Sequence, residues 1–318
     1  MAQSHSQYPS PSQPIAMAGI NIFMYHRVVT EDTPFVLARH RDTGTTVSRS
    51  RFSAQIERLS ERYQIISLAE AVDRLSCDKP LDRDYCVITF DDGYADNYHE
   101  AFPVLQQFGA TATFFVMGGC IAGSGNGYVR WLDEYYYMLE HTRVSAALLR
   151  VAGTRMPRLI VPKGRGRRQL NDLVRRWPHD HKDALMSALR AALKVDVPGR
   201  AINSQLYLSV AQIREMHGAG MTIGAHTMTH PFEMGLMLRD AACNEIVRSL
   251  ELVQSLTGEE QIPFAYPWGD PNSYNREIVN LLEDRAANCA VTTLTGTNVI
   301  GTPRFELRRI PVYEETVL

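Results

Sequence analysis

Two acidic residues stand side by side directly after an apolar run. Residues 86–90 (CVITF) are apolar or β-branched, and Asp91, Asp92 and Gly93 follow them. Side chains alternate along a strand, but a break at the glycine lets both carboxylates turn toward one point. Two carboxylates this close repel each other unless a cation lies between them. The pair therefore indicates a cation site, although an Asp-Asp-Gly turn without a functional role is the simpler alternative.

Two histidines form a second group with metal-binding spacing. His226 and His230 are four residues apart, so one helical turn presents both imidazoles to the same side. Thr227 and Thr229 flank them and are suited to fix their orientation. The alternative is that they are buried structural histidines. One carboxylate with two imidazoles leaves coordination positions open, as in catalytic sites, and suits zinc, with cobalt, nickel, manganese and iron also compatible.

The elements that must position these groups follow an alternating pattern. Short β-branched and aromatic runs alternate with helical periodicity, as in a parallel α/β sheet or barrel. We expect strands at residues 20–25, 86–90, 111–117, 221–225, 262–266, 289–292 and 307–312. Active sites of such folds gather at the carboxyl ends of the strands. Polar or aromatic groups lie at strand ends in this order: Tyr25 and His26, Asp91 and Asp92, His226, Pro267 and Trp268, with Arg308 and Arg309 beginning the last strand.

Length and charge limit the possible classes. The 318 residues, 45% of them hydrophobic, can bury a core without disulfides, and five scattered cysteines indicate buried thiols in a reducing compartment. A net charge of -2 without interleaved aromatic residues argues against a nucleic-acid partner. Residues 1–18 are expected to be a disordered tail, and neither a signal peptide nor a membrane span is visible. A cytoplasmic protein is therefore expected, of undetermined oligomeric state.

A basic insertion interrupts the pattern. Residues 143–200 contain 14 Lys or Arg against four Asp or Glu, so the rest of the chain is acidic. We expect one domain, residues 19–318, interrupted at about 140–205 by this segment, which includes an amphipathic helix with Leu185, Leu189 and Leu193. Arg165, Arg167 and Arg168 are candidate contacts for a phosphate-bearing or anionic substrate. A solvated basic cover is the alternative.

Between residues 20 and 312, apart from the insertion, the chain resembles the polysaccharide deacetylases with a NodB homology domain, carbohydrate esterase family 4. Residues 89–93 (TFDDG) and 226–230 (HTMTH) correspond to the first two family motifs, and residues 264–269 (FAYPWG) and 307–312 (LRRIPV) resemble later ones. The resemblance implies a distorted (β/α) barrel of about seven strands. It also implies a metal held by Asp92, His226 and His230, and hydrolysis of an N-acetyl group on an amino sugar.

Roles for the remaining candidates follow from that chemistry. Asp91, left off the metal, is the candidate general base. The N–H of Trp268, which follows Pro267, is a candidate oxyanion donor. Trp268, Trp131 and Tyr94 are candidates for an apolar wall against the acetyl methyl or the sugar, with ordinary core aromatics as the alternative.

The sequence departs from the family pattern twice. Phe264 and Ala265 occupy the positions where an arginine normally orients the base, and Arg309 is the candidate replacement, with a structural arginine as the alternative. In the family, a histidine near the end of the domain usually acts as the general acid. That histidine is missing here, because no histidine follows His230. His26 is the first candidate for the general acid and Asp133 the second.

The sequence therefore predicts a metal-dependent hydrolase that deacetylates an amino sugar in a polysaccharide, a glycolipid or a sugar precursor. An O-acetyl esterase or another amide hydrolase on the same barrel is an alternative within the enzymes. A non-catalytic carbohydrate-binding protein with a decayed site is the alternative outside them.

Overall fold

The computed structural model describes residues 18–35, 40, 44–77, 79–122, 127–144, 146–148, 158–160, 174–285 and 287–318. Twelve strands occur within these residues. They are β1 (Ile20–Tyr25), β2 (Arg27–Val29), β3 (Thr46–Ser48), β4 (Gln64–Ile65), β5 (Tyr85–Phe90), β6 (Thr113–Val116), β7 (Ala146–Leu148), β8 (Arg158–Ile160), β9 (Thr222–Ala225), β10 (Ile262–Ala265), β11 (Ala287–Val291) and β12 (Ile310–Pro311).

The central element is a parallel sheet with the strand order β11, β10, β9, β6, β5, β1, β12, and β4 pairs with β5 outside this path. It curls as a half-barrel. Leu307 forms a bridge with Val291 of β11, and three residues later the same segment enters β12 beside β1. The segment thus spans the gap between the two edges of the sheet. The expected barrel of about seven strands is confirmed.

Helices cover this sheet and the insertion. In chain order they are α1 (Arg49–Arg62), α2 (Leu68–Ser76), α3 (Phe102–Gln107), α4 (Trp131–His141), α5 (Lys182–Leu193), α6 (Gly199–Leu206), α7 (Val210–Gly218), α8 (Arg239–Thr257) and α9 (Arg276–Glu283). Local sequence explains several ends. Ser209 and Gln212 form a complete capping box at the start of α7, and Gly258 ends α8 in the left-handed conformation.

Strand register brings the polar ends together. β1 pairs with β5 from Ile20 opposite Tyr85 to Tyr25 opposite Phe90, so His26 and Asp91 leave the sheet side by side. The Asp91 N–H donates to the Tyr25 carbonyl at 3.0 Å. Because every strand of the sheet runs parallel, the carboxyl ends of β9 and β10 lie at the same edge.

Three expectations about these elements were wrong in detail. The last strand is only Ile310–Pro311, because the preceding Arg309 N–H donates to the loop carbonyl of Leu294 at 2.9 Å and not to a neighbouring strand. The sequence spacing predicts one helix that carries Tyr274, Ile278 and Leu281, but Tyr274 precedes α9 and its ring stacks on Tyr266 at 4.1 Å between centroids. Cys77 is exposed and Cys243 half-buried, whereas the other three thiols are buried as expected.

The insertion has an apolar core of its own. Leu185, Leu189 and Leu193 of α5 are fully buried, as the helical periodicity predicts, and they pack with Trp131 and other residues of α4. The loop 163–168 lies outside the described residues, as do residues 1–17, so the boundaries of the insertion and tail stay predictions. Among the helices that the structure describes, none has the length and apolar character needed to cross a membrane.

A glycine in β9 permits the close packing beside the site. A Cβ atom at Gly224 would lie 2.4 Å from the Phe115 ring and 2.8 Å from the Pro263 carbonyl oxygen. We expect Gly224→Ala to lower the free energy of unfolding by about 1–3 kcal/mol, because the extra methyl group overpacks the sheet. Urea unfolding measures this. Gly218→Ala is the control, since its Cβ meets nothing within 4 Å. Equal losses in the two variants would contradict the packing argument.

Candidate active site

A cavity of about 220 Å³ lies at the carboxyl ends of the central strands. Seven of the residues singled out in the sequence line it: His26, Asp91, Asp92, Tyr94, His226, His230 and Trp268. Arg309 lies behind its wall, in contact with Asp91. Pro267 and Trp131 do not line it. The fold therefore gathers most of the predicted groups around one small space.

Asp92, His226 and His230 form a compact, buried donor set. Their nearest ligand atoms all lie within 4.8 Å of one another. Asp92 Oδ1 lies 3.6 Å from His226 Nε2 and 3.5 Å from His230 Nε2. Within the described part of the chain, this buried oxygen accepts no hydrogen bond. An unsatisfied carboxylate oxygen facing two imidazole nitrogens is the arrangement that a divalent metal completes, so the residues fit such an ion.

The two imidazoles are held in different ways. His226 Nδ1 donates to the Ala265 carbonyl at 2.7 Å, which leaves the Nε2 lone pair directed toward Asp92. His230 is fixed through its backbone, because its N–H donates to Thr227 Oγ1 at 3.1 Å and its carbonyl accepts from Trp131 Nε1 at 3.2 Å.

The loop that carries both histidines is anchored from outside. Glu245 of α8 accepts from the N–H groups of Met228 and Thr229, at 2.8 and 2.9 Å, and from Thr229 Oγ1 at 2.7 Å. Both threonines were expected to orient the imidazoles. Thr227 supports His230, whereas Thr229 instead ties the loop to Glu245.

Backbone strain concentrates at this cavity. Six described residues other than glycine have a positive φ, and four of them belong to the site: Asp92 at 74°, Thr227 at 60°, His230 at 58° and Trp268 at 65°. Such conformations are costly for residues with a Cβ and persist where the surroundings impose them. The strain shows that these side chains are held in place by the fold.

Arg130 is the main site residue that sequence reasoning missed. Its Nη1 donates to Asp92 Oδ2 at 2.7 Å, so one carboxylate oxygen is neutralised and the other stays free. Two further donor atoms bind Asp133, at 2.9 and 3.0 Å, which holds the guanidinium rigidly. Burial alone would raise the pKa of Asp92, but the charge of Arg130 outweighs it and holds that pKa well below its usual range.

Arg309 pairs with Asp91 as Arg130 pairs with Asp92. Its two terminal nitrogens donate to the two carboxylate oxygens, each at 2.7 Å, and Nε donates to the Thr292 carbonyl at 2.7 Å. The arginine is fully buried. Despite burial of the carboxyl group, Arg309 lowers the pKa of Asp91. The geometry thus brings the arginine suggested by the sequence to the aspartate that it was expected to orient.

The two candidate general acids differ in whether they can donate a proton into the cavity. His26 lines the cavity, and burial lowers its pKa, although Asp92 and Asp91 oppose that shift. Asp133 is ruled out as the acid by its partners: besides Arg130, it accepts from Tyr94 at 3.0 Å, from Tyr207 at 2.7 Å and from His40 at 2.8 Å. These charges and donors lower its pKa and keep it ionised behind the cavity.

The three aromatic candidates occupy different positions relative to the cavity. The Trp268 ring lies 5.6 Å from the His230 ring and forms part of the wall. Tyr94 lines the cavity, but its hydroxyl is bound to Asp133. Trp131 is placed as a support: its indole is buried under the Lys182 ammonium at 4.2 Å and holds the His230 carbonyl. A substrate-contacting role for Trp131 does not agree with this position.

Known proteins share this chain's sequence pattern and fold. The Bacillus subtilis protein YxkH, named a candidate polysaccharide deacetylase, is 34% identical over 105 residues, 33% of this chain and 34% of that protein. The poly-β-1,6-N-acetyl-D-glucosamine N-deacetylase of Escherichia coli K12 is 31% identical over 124 residues, 38% of this chain and 17% of that enzyme. The chain thus matches about a third or less of the length of these relatives.

Two solved structures share the fold. The deacetylase PplD of Streptococcus pyogenes, in complex with acetate, superposes with a TM-score of 0.60 at 19% identity over 94% of both chains. IcaB of Ammonifex degensii gives a TM-score of 0.56 at 18% identity over 93% of this chain and 92% of that one. The family profile described as polysaccharide deacetylase matches residues 78–143 and 190–287, slightly more than half of the sequence, and leaves out most of the insertion. The chain belongs to the polysaccharide deacetylase family.

Proposed function

We propose that the protein is a metal-dependent hydrolase that removes the N-acetyl group from an amino sugar in a polysaccharide, a glycolipid or a sugar precursor. The observation that carries the proposal is the convergence of Asp92, His226 and His230 beside a separate carboxylate, Asp91, in one buried cavity. The names of the relatives, one of which acts on poly-N-acetyl-D-glucosamine, support an acetylated amino sugar as the substrate class.

Asp92, His226 and His230 are the residues that would hold the metal, with zinc as the first candidate and cobalt, nickel, manganese or iron also suited to the donor set. When bound there, a divalent ion polarises the acetyl carbonyl and makes water more acidic. Arg130 contributes by fixing Asp92 through Oδ2. The carboxylate thus presents Oδ1 without having to reorganise.

Asp91 is proposed as the general base. Arg309 keeps it ionised and in one orientation, so its carboxylate can accept the proton of the water that attacks the acetyl carbon. The paired arginine also argues against a decayed site, because it supplies the guanidinium that is missing from positions 264 and 265.

His26 and Trp268 complete the proposed reaction. The Trp268 N–H, which donates no hydrogen bond within the described residues, is suited to the oxyanion that forms as water adds. His26 gives a proton to the sugar nitrogen as the C–N bond breaks, which releases acetate and a free amine. Because burial lowers the pKa of His26, the imidazole is mostly neutral near pH 7 and must take up a proton, such as the one that Asp91 removes from water, before it can donate to the nitrogen.

Metal content separates the two aspartate roles. We expect purified protein to hold about one divalent ion per chain, and His226→Ala to lose it because one of three donors is removed. Asp91→Asn should keep the ion, since Asp91 is not a donor. Elemental analysis after dialysis measures this. His217→Ala, which changes a half-buried histidine beside Glu259, is the control. Full metal content in His226→Ala would contradict the proposed donor set.

Acetate release tests the activity itself. A panel of N- and O-acetylated sugars, assayed with each candidate metal, should reveal a substrate whose acetate release falls by about 10²–10⁴-fold in Asp91→Asn. The fall should appear in kcat, because the base acts in the transition state. Absence of acetate from every substrate with metal-loaded wild-type protein would overturn the proposed function. A preference for O-acetyl substrates would assign the esterase alternative.

The role of His26 predicts a dependence on the leaving group. His26→Gln should lower kcat by about 10²-fold on an acetamido sugar, because the amine must be protonated as it leaves. It should have little effect on p-nitrophenyl acetate, whose phenolate leaves without a proton. His99→Gln, at an exposed histidine, is the matched control. Equal losses on both substrates would assign His26 a structural role.

A further inference from the structure

Arg175 stands where two cavities meet. It lines the candidate active-site cavity and also a neighbouring depression of about 520 Å³. This depression, which we call the flanking groove, is lined by residues 175–179, 232–233 and 236–238. A ligand that extends out of the active-site cavity toward the flanking groove must therefore pass the Arg175 side chain.

Within the part of the chain that the structure describes, the Arg175 guanidinium lacks a partner of opposite charge. Arg130 and Arg309 each bind a carboxylate, but no carboxylate lies within ion-pairing distance of Arg175 among the described residues. Its Nε is buried and, in the same part of the chain, makes no hydrogen bond. Leaving a buried charged donor unsatisfied is costly, so the position indicates a ligand acceptor.

Stacking fixes the guanidinium beside the reacting centre. Its central carbon lies 4.9 Å from the centre of the Trp268 ring, and Trp268 is itself part of the cavity wall. An arginine stacked on an aromatic face keeps its in-plane N–H groups available for a bidentate acceptor. Arg176, exposed in the flanking groove, adds a second positive charge. Glu233 also lines this groove but forms no ion pair with either arginine in the described residues.

We propose that Arg175 binds an anionic oxygen group of the substrate, a phosphate or a carboxylate attached to the acetylated amino sugar or to the unit next to it. The proposal rests on the proposed deacetylase function and narrows its substrate class from amino sugars in general to glycans or sugar phosphates that carry an anionic group. Arg165, Arg167 and Arg168 lie outside the described residues, so their suggested role stays a prediction. Arg175 belongs to the same insertion and lines the candidate active-site cavity.

The first experiment compares matched substrates. Wild-type protein is assayed on N-acetylglucosamine 1-phosphate, on an N-acetylglucosamine–glucuronate disaccharide and on the neutral methyl N-acetylglucosaminide. We expect kcat/KM to favour one of the anionic substrates, and Arg175→Gln to remove about 10- to 100-fold of that advantage, mostly through KM. The neutral substrate should change less than about threefold, because the charge contact is absent. Which anion responds distinguishes phosphate from carboxylate.

Two controls define the failure of the proposal. Arg214→Gln removes an exposed arginine that lines neither cavity and should leave all three substrates unchanged. Raised ionic strength should reduce the anionic preference in wild-type protein but not in Arg175→Gln. An equal fall on neutral and anionic substrates, or no fall on any of them, would overturn the proposal while leaving the deacetylase function intact.

Direct binding gives a readout that does not need turnover. Calorimetry compares glucosamine 1-phosphate, glucosamine and inorganic phosphate on wild-type protein and on Arg175→Gln. Tighter binding of the sugar phosphate that depends on Arg175 supports the subsite even if no acetylated substrate is hydrolysed, in which case only the proposed function fails. Equal binding of inorganic phosphate would reduce the site to a general anion contact and overturn the proposal.

Discussion

The structure depends on how two adjacent buried carboxylates are kept ionised. Asp91 and Asp92 are 3% and 4% exposed, and two neighbouring negative charges removed from water are unstable without compensation. The fold supplies a separate arginine to each: Arg309 takes both oxygens of Asp91, and Arg130 takes one oxygen of Asp92. The single oxygen left over faces the two imidazoles. The arginine partners therefore decide which aspartate is the candidate base and which is the candidate metal ligand.

This arrangement explains why the supporting polar groups are so extensive. Arg130 needs Asp133, and Asp133 in turn accepts from Tyr94, Tyr207 and His40. Breaking one partner of such a network leaves a buried charge uncompensated. The apolar core of the insertion positions α4, whose N-cap is Arg130 and whose first turn carries Trp131 and Asp133. The insertion is therefore part of the site's framework as well as its cover.

The local patterns were sufficient to predict the sheet, the pair of carboxylates and the pair of histidines. The choice of Asp92 as the metal ligand and of Arg309 as the partner of Asp91 came from the family resemblance. Arg130 and His40 could not be predicted, because neither belongs to a motif singled out in the sequence and their roles arise only from tertiary contacts, 38 and 93 residues away in the chain. Trp131 and Asp133 lie next to the predicted site, but they support His230 and Arg130 and do not take the substrate-contacting and acid roles that the sequence suggested. Their spacing gave no sign that the indole and the carboxylate turn inward to support other residues.

The segment that bridges the two sheet edges has a consequence for the order of assembly. It brings Arg309 to Asp91 across 218 residues of sequence, from a part of the chain that follows β1, β5 and β11. A nascent chain that has emerged only to residue 306 contains both aspartates and both histidines, yet lacks the cation that neutralises Asp91. In the folded chain, burial of Asp91 without that cation would leave a buried charge uncompensated. Closure of the sheet and completion of the reactive centre therefore depend on the same segment.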